Sequence, residues 1–237
     1  MPIDTGYYLD TTNGKNLFVG KAINSFYGYK YAGIWSTAEA EEAAKYGSEP
    51  GLIKVETIEK DGDGGVHPYG TDDRMVLGHS NPNWVLGFTN NFTYKGFDLS
   101  IHTMARLGQM IQSDMLSRYT ASDDITVNQI AGTDYWTENN QGAYFPRPGS
   151  AKKQSAYYSA LTFVDGSFFK IKNITLGYTL PTSLVKKAFM ERVRFYATAY
   201  NPVIFCKSIL KDTDPETGGS DAFPTYREFV FGVNVTF

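Results

Sequence analysis

Long apolar runs and paired cysteines are missing from this chain of 237 residues. A membrane-spanning helix needs about 20 consecutive apolar residues. No stretch approaches that length, and the mean hydropathy is −0.32. A helical membrane protein is therefore excluded, whereas a membrane β-barrel is not, because its strands are each only about half apolar. The single cysteine, Cys206, permits neither an internal disulfide nor a multi-thiolate zinc site and is interpreted as incidental.

Signals for catalysis or nucleic-acid binding are also missing. The formal net charge is −3, so the chain has no basic footprint for nucleic acid, which is not expected as a partner. The three histidines, His67, His79 and His102, show no paired spacing on one element. No GxSxG, HExxH or phosphate-loop motif occurs. We therefore predict no enzyme activity, no catalytic or metal-binding residues and no cofactor.

The first residues, MPIDTGYYLDTTNGK, lack the basic start and apolar run of a secretory signal. A barrel protein must be exported. Either a signal was removed, or the chain is a piece of something longer, and we expect the second.

Aromatic residues, in contrast, are abundant, with 17 Tyr and 16 Phe. Their most regular stretch is YREFVFGVNVTF, residues 226–237. Because strand side chains alternate between faces, one face carries Phe229, Phe231, Val233, Val235 and Phe237, and the other is mostly small or polar. A soluble sheet with one solvated face shows the same alternation. Five large apolar groups and a final Phe favour a membrane barrel, whose outer face contacts lipid and whose inner face stays wet.

Other alternating runs predict further strands. Residues 84–94 and 97–105 form a hairpin around the turn Lys95-Gly96. The other predicted strands cover residues 168–178, 193–200 and, less regularly, 22–34. The connection LPTSLVKKAFMER is short and has room for one helical turn. Lys170 and Lys172 interrupt the apolar alternation of the third strand, where we expect a bulge or a departure from the membrane band.

The remaining connections, residues 35–82, 108–158 and 202–225, are long. The first contains a predicted helix, TAEAEEAAKYG, whose Glu41 and Glu42 are expected to face solvent. If the last strand ends in the periplasm, both short connections lie on that side and all three long ones lie outside. Short turns on one side and long loops on the other are typical of outer-membrane barrels. We therefore predict an all-β fold of antiparallel up-and-down strands that form part of a transmembrane β-barrel, with long external loops and a short helix.

Six segments follow one another in an order found in a known family: VGKAINSFYGYKYAGIW, DGDG, LGHSNPNWVLGFTNNFTYKGFDLS, DGSFFKIKNITLGYTLP, DPETG and the terminal strand that ends in Phe. In these segments the chain resembles the SusC/RagA-like TonB-dependent outer-membrane transporters. NFTYKGFDLS and KIKNITLGYTLP are the most specific, and the resemblance runs from about residue 19 to residue 237. The chain looks like the carboxy-terminal part of such a transporter.

The resemblance implies a barrel of about 22 strands with an amino-terminal plug inside it. It also implies location in the cell outer membrane, in contact with its lipid. A SusD-like surface lipoprotein would help to capture a glycan or peptide solute, and the TonB complex would supply energy through the missing amino-terminal part. Residues 1–237 would form a barrel segment of about six strands without the plug domain. Six strands cannot enclose a solute-sized lumen, so this segment alone is not expected to transport.

Three alternatives stay open. The segment DGDG, with Asp61 and Asp63, resembles the start of a calcium loop, but Gly65 replaces an expected oxygen ligand and Asp72 stands where an EF-hand has Glu. A Gly/Asp-rich turn is the default interpretation. The aromatic residues of one long loop either stack on sugars or peptides or pack the loop onto itself; these are Tyr135, Trp136, Tyr144 and Phe145. Finally, the chain could be a soluble all-β carbohydrate-binding module with an aromatic ligand surface.

Overall fold

The computed structural model describes residues 7–10, 15–18, 20–60, 62–119, 130–150, 156–210, 213–221, 223 and 225–237. The chain divides into two compact units. The loop unit consists of Met1–Asn81, Gln109–Asp165 and Gly218–Asp221. The sheet unit consists of Pro82–Gly108, Gly166–Thr217 and Ala222–Phe237.

Strands dominate the secondary structure. Within the described residues there are thirteen: β1 (Tyr7–Asp10), β2 (Lys15–Phe18), β3 (Ser25–Gly28), β4 (Tyr31–Ile34), β5 (Ile53–Val55), β6 (Met75–His79), β7 (Trp84–Tyr94), β8 (Phe97–Leu107), β9 (Met110–Gln112), β10 (Phe163–Asp165), β11 (Phe168–Thr179), β12 (Arg192–Phe205) and β13 (Glu228–Thr236). The α-helices are α1 (Ala40–Lys45), α2 (Asp114–Tyr119) and α3 (Thr182–Val185). Short 3-10 helices cover Thr37–Glu39, Thr71–Asp73, Tyr158–Leu161, Lys186–Ala188, Ser208–Leu210 and Pro215–Thr217.

The sheet unit contains one antiparallel sheet of five strands, in the order β7, β8, β11, β12, β13. Each strand pairs with the next of the five along the chain, so the sheet runs up and down. The strands are 9 to 14 residues long. The strands predicted at 84–94, 97–105, 168–178, 193–200 and 226–237 are therefore confirmed, and β8 and β12 extend beyond their predicted ends.

Both short connections lie at the same end of this sheet. Lys95 and Gly96 have positive φ angles of 46° and 86°, as a two-residue type I′ turn requires, because that turn matches the twist of the flanking strands. The second connection contains α3, which confirms the predicted helical turn. Thr179 N donates to Gly96 O at 2.8 Å, so the turn is bound to the end of β11, where the second connection begins. The long connections leave from the opposite end of the sheet.

A bulge interrupts β11 between Ile171 and Asn173 in its pairings with both β8 and β12. Relative to β8, Lys172 is the extra residue. The bulge predicted near the two lysines is confirmed, and it moves Lys170 to the face opposite Ile174. On β12 the same level holds Asn201, whose φ is 49°, followed by Pro202. A strand tolerates proline at a bulge because no ladder hydrogen bond is lost there.

The loop unit is built from short pairs. Its described strands form four two-stranded sheets: β1 with β2, β3 with β6, β4 with β5, and β9 with β10. The single strand predicted at 22–34 is wrong, because β3 and β4 are separate strands with different partners. The helix predicted in TAEAEEAAKYG is confirmed as α1, and Glu41 and Glu42 are exposed. The side chains of Trp35, Ala43 and Ile53 are fully buried in this unit.

Antiparallel strands with few helices confirm the predicted fold class. In the part of the chain that the structure describes, no helix has both the length and the apolar character needed to cross a membrane.

The turn between β7 and β8 generates a test of the fold. We expect Gly96→Ala to lower the free energy of unfolding of the protein, expressed from its native gene, by about 1–2 kcal/mol. An L-residue with a Cβ is strained at positive φ. An added Cβ would also lie 2.9 Å from Thr179 O. Lys95→Asn is the matched control and should stabilise slightly, since Asn tolerates this conformation. Urea unfolding in detergent, followed by circular dichroism, measures both. Equal effects of the two substitutions would contradict the assigned turn.

Candidate functional site

One face of the five-stranded sheet is apolar and exposed. The register places Phe88 opposite Thr103, Phe97 opposite Tyr178 and Ala197 opposite Phe231, so alternate residues of every strand share this apolar face. Phe88 is 64% exposed and Phe231 is 79% exposed. Its exposed large members are Trp84, Leu86, Phe88, Phe92, Tyr94, Phe97, Leu107, Phe169, Leu176, Phe195, Phe205, Phe229, Phe231, Val233 and Val235. A contiguous exposed apolar patch of this kind marks an interaction surface.

The opposite face, which we call the polar face, is hydrogen-bonded across the strands. Thr89 Oγ1 lies 2.8 Å from His102 Nδ1, so His102 lies on this face. Thr175 Oγ1 and Thr198 Oγ1 are 2.9 Å apart. The two faces of one sheet therefore have opposite solvent preferences.

An ion pair crosses three strands of the polar face. Arg194 Nε donates to Asp98 Oδ1 at 2.9 Å, and Arg194 Nη2 donates to Asp98 Oδ2 at 2.5 Å. This two-point geometry is the strongest arrangement for a guanidinium and a carboxylate. The pair lies directly over Gly177 of β11, where an added Cβ would be 2.5 Å from Arg194 Nη2 and from Asp98 Oδ1. Glycine at this position gives the pair its space.

A second charged cluster, the lysine clamp, consists of Lys170, Lys172, Asp214 and Glu216. The side chain of Lys170 is 2% exposed. Its Nζ contacts Asp214 Oδ2 and lies 2.8 Å from Glu216 Oε2, while Lys172 Nζ lies 2.8 Å from Glu216 Oε1. The bulge brings both ammonium groups to the segment DPETG, whose short helix Pro215–Thr217 is thereby fixed at the start of β11.

The aromatic loop residues are packed rather than displayed. Trp136 and Phe145 are each 4% exposed, and Trp136 N donates to Phe145 O at 2.8 Å. Gly51 has φ +83°, and an added Cβ there would lie 2.8 Å from Trp136 Cε3. Of the two interpretations left open, the structure favours packing of this loop onto its neighbours.

In the Asp61–Asp63 loop, the described carboxylate is bound by the backbone of the loop itself. Asp61 lies outside the described residues. Asp63 Oδ1 accepts hydrogen bonds from Lys60 N at 2.9 Å and from Gly65 N at 2.7 Å. Among the described residues, no three His, Cys, Asp or Glu side chains are grouped closely enough to hold a metal ion. Calcium binding by this loop stays an open hypothesis.

His67 lies between two carboxylates, an arrangement that the sequence analysis missed. Its Nδ1 is 2.6 Å from Asp63 Oδ2, and its Nε2 is 2.9 Å from Asp73 Oδ1. The Asp73 side chain is fully buried and also accepts from Gly70 N at 2.7 Å. The hydrogen bond to Asp73, assisted by Asp63, raises the pKa of His67 above its ordinary value, against the opposing effect of burial. The signal in the sequence was the occurrence of Asp63, His67 and Asp73 within one Gly-rich loop.

The remaining singled-out residues form no catalytic arrangement within the described chain. His79 Nδ1 lies 2.6 Å from Asn81 O. Cys206 is half-buried, and its Sγ is 3.8 Å from Leu210 O.

Comparisons with known proteins address the class of the chain. No protein-family model matches it. It is 28% identical to the TonB-dependent receptor P3 of Formosa agariphila, over 92% of this chain and 22% of that protein. It is 26% identical to the TonB-dependent receptor SusC of Bacteroides thetaiotaomicron, over 99% of this chain and 22% of that protein. The chain spans about a fifth of the length of these curated relatives.

Solved structures show the same fold. The RagAB peptide transporter matches with a TM-score of 0.70 and 24% identity, over 98% of this chain and 25% of that chain. The RagAB peptide importer in its open-open state matches with a TM-score of 0.70 and 22% identity, over 100% of this chain and 25% of that chain.

The sheet, with its short connections at one end, is thus a segment of an antiparallel fold that is also present in RagAB. The chain is similar to TonB-dependent receptors, SusC among them, and its predicted resemblance to SusC/RagA-like transporters is confirmed.

The lysine clamp can be tested by removing either cation. Lys170→Met leaves Asp214 and Glu216 close together without the shared buried cation. Removing one partner of a buried ion pair costs about 3–5 kcal/mol, so we expect faster cleavage by protease within residues 213–217. Lys172→Met is the matched control and should have a smaller effect, since Lys172 is 30% exposed and contacts only Glu216 of this cluster. Adding Asp214→Asn and Glu216→Gln to the Lys170→Met variant should restore its resistance to the protease. Equal cleavage of both single variants would contradict the clamp.

The loop around His67 should respond to pH. Because folding raises the pKa of His67, its stabilising contribution is complete below the unfolded value of about 6.5 and is lost as the pH rises through the higher folded value. We therefore expect hydrogen exchange at residues 57–73, corrected for intrinsic rates, to show less protection at pH 8.5 than at pH 6. His67→Gln should remove this difference. A pH response that persists in His67→Gln would assign it to another group.

Proposed function

We propose that the sheet unit is part of the transmembrane β-barrel of a TonB-dependent nutrient importer in the cell outer membrane. The observation that carries this proposal is the sheet itself. Its exposed face is apolar across all five strands, and its other face carries hydroxyl groups and ion pairs. A barrel wall needs this division, because its outer side contacts lipid and its inner side contacts water.

Strand length supports a spanning role. A transmembrane strand needs about 9–11 residues, and the five strands have 9 to 14. Aromatic residues also lie near the strand ends on the apolar face, with Trp84 and Tyr94 at the two ends of β7. Aromatic girdles at both interfaces are typical of outer-membrane barrels.

The edges of the sheet support a larger wall. Within the described residues, β7 and β13 each pair on one side only. Lipid does not tolerate an open edge, because unpaired backbone groups have no water there. Both edges therefore pair with further strands, and residues 1–237 contribute one segment of the wall. Five or six strands leave no solute-sized lumen, so we infer that this segment does not transport alone.

The activity of the complete protein is inferred from its relatives. Their names describe TonB-dependent receptors and a peptide transporter. We infer import of a glycan or peptide solute, energised through TonB, with a SusD-like surface lipoprotein as partner and outer-membrane lipid around the barrel. The relatives are named as receptors and transporters, so enzyme activity is not proposed.

The soluble carbohydrate-binding module is the weaker candidate. A soluble sandwich buries its apolar face against a second sheet, whereas the described residues leave this face exposed on every strand.

A charge placed on either face tests the proposal. Phe88→Lys puts an ammonium group on the apolar face, where it costs about 2–4 kcal/mol at the bilayer midplane. Asn91→Lys, three residues along the same strand, puts it on the polar face. We expect Phe88→Lys to reduce the amount of protein, expressed from its native gene, that stays in the outer-membrane fraction after urea extraction. Asn91→Lys should leave this amount unchanged. The proposal fails if both variants behave alike, or if the unmodified protein is a stable monomer without detergent.

A further inference from the structure

A hollow lies in the apolar face of the sheet, close to the end that carries the short connections. The residues of this face form rows across the strands, because the five strands are paired in register. The row next to the turn between β7 and β8 consists of Tyr94, Phe97, Tyr178, Phe195 and Val233. All five side chains are large, and the ring centroids of Phe97 and Tyr178 are 4.5 Å apart.

The next row contains a small residue, which creates the hollow. This row consists of Phe92, Leu99, Leu176, Ala197 and Phe231. Ala197 on β12 lies between Leu176 on β11 and Phe231 on β13, so its methyl group leaves a gap between two longer side chains. The hollow has a volume of about 440 Å³, and its wall includes Leu176, Phe195 and Phe231.

The wall of the hollow suits a saturated hydrocarbon chain. Among the side chains of the apolar face that line it, only Tyr178 has a polar atom. A polar ligand would lose its hydrogen bonds to water there without gaining others, which is costly. A lipid acyl chain has no hydrogen bonds to lose.

Cations lie at the end of the sheet beside the hollow. The cationic rim consists of Lys95 in the turn and of Lys186 and Lys187 in the connection between β11 and β12. Lys95 Nζ lies 5.3 Å from the ring centroid of Tyr94, which places this ammonium group at the edge of the apolar face. In the described part of the chain, none of the three lysines forms an ion pair.

The connection that carries two of these lysines also exposes apolar side chains. Leu184 is exposed, and Phe189 is 93% exposed. Phe189 has a φ of 56°, which is uncommon for a bulky residue. Lysines together with exposed Leu and Phe are typical of segments that lie in the interface between headgroups and acyl chains.

We propose that the hollow and the cationic rim together bind one anionic phospholipid. An acyl chain occupies the hollow, and the headgroup phosphate contacts the lysines of the rim. Because short turns of outer-membrane barrels are periplasmic, the lipid belongs to the leaflet that faces the periplasm. The inference rests on the proposed barrel role and adds to it, since general contact with the bilayer requires neither a hollow nor a preferred headgroup.

The test compares two lipids with identical acyl chains, phosphatidylglycerol and phosphatidylcholine. The protein is expressed from its native gene and purified in detergent, and native mass spectrometry counts the lipids bound over a concentration series. We expect phosphatidylglycerol to bind more tightly, by about 5-fold for each lysine that contacts its phosphate. Inorganic phosphate should not displace it, because the acyl chain is part of the ligand.

Ala197→Phe tests the hollow. The larger side chain fills the gap between Leu176 and Phe231 without changing any charge. Each buried methylene group contributes about 4-fold to the affinity of a lipid, so we expect binding of phosphatidylglycerol to weaken about 10-fold or more. Ala199→Phe is the matched control on the same strand and the same face, outside the hollow, and should bind within about 2-fold of the unmodified protein.

Lys95→Asn tests the rim, because it removes one cation in a turn that accepts asparagine. We expect it to weaken the binding of phosphatidylglycerol about 5-fold and to leave phosphatidylcholine unchanged. Adding Lys186→Gln and Lys187→Gln should remove the remaining preference. Lys45→Asn, at an exposed lysine of the loop unit, is the control and should have no effect on either lipid.

Equal affinity for the two lipids would overturn the proposal, as would equal effects of Ala197→Phe and Ala199→Phe. A change in oligomeric state with Ala197→Phe, without a change in lipid binding, would assign the hollow to a second copy of the chain instead. Outer-membrane fractionation separates this inference from the proposed function. Protein that is in the outer membrane but does not distinguish the lipids refutes the lipid site and leaves the barrel role intact.

Discussion

Exposed apolar surface is costly in water, at about 25 cal/mol for each Å², and the five-stranded sheet presents such surface on every strand. The cost disappears when hydrocarbon takes the place of water. The membrane location that we propose for the sheet therefore rests on the alternation of its strands rather than on any single residue. Strand length, the short turns at one end and the open edges all agree with the same surrounding medium.

The polar face has the complementary requirement. Its ion pairs join residues that are far apart in the chain, since Asp98 on β8 reaches Arg194 on β12 across Gly177. Where such a pair is buried, both partners are needed, because a single remaining buried charge is poorly solvated. The lysine clamp applies the same principle at the other end of the sheet, where it holds a connection rather than a strand.

Alternation predicted the long strands well. Residues 84–94 are a strand with those bounds, and the turn at Lys95-Gly96 was evident from its sequence. The strands of three to five residues in the loop unit, such as β5 and β9, were not predictable. So few residues show no alternation of apolar and polar side chains. The arrangement around His67 depends on how a Gly-rich loop folds back on itself. Burial of Trp136 was likewise undecided, since an aromatic residue in a loop suits packing and ligand contact equally.

The bulge beside the lysine clamp also has a geometric consequence. Between the paired residues on either side of the bulge, β8 has no additional residue, since Thr103 and His102 are consecutive. β11 has one additional residue, Lys172, and β12 has two, Asn201 and Pro202. Each successive strand thus has a longer path through the same layer. Extra residues of this kind bend a strand and increase its twist, and bulges at defined positions are a means of curving a flat sheet. The additional residues lie toward the end of the sheet from which the long connections leave, so we expect the sheet to curve most strongly at that end.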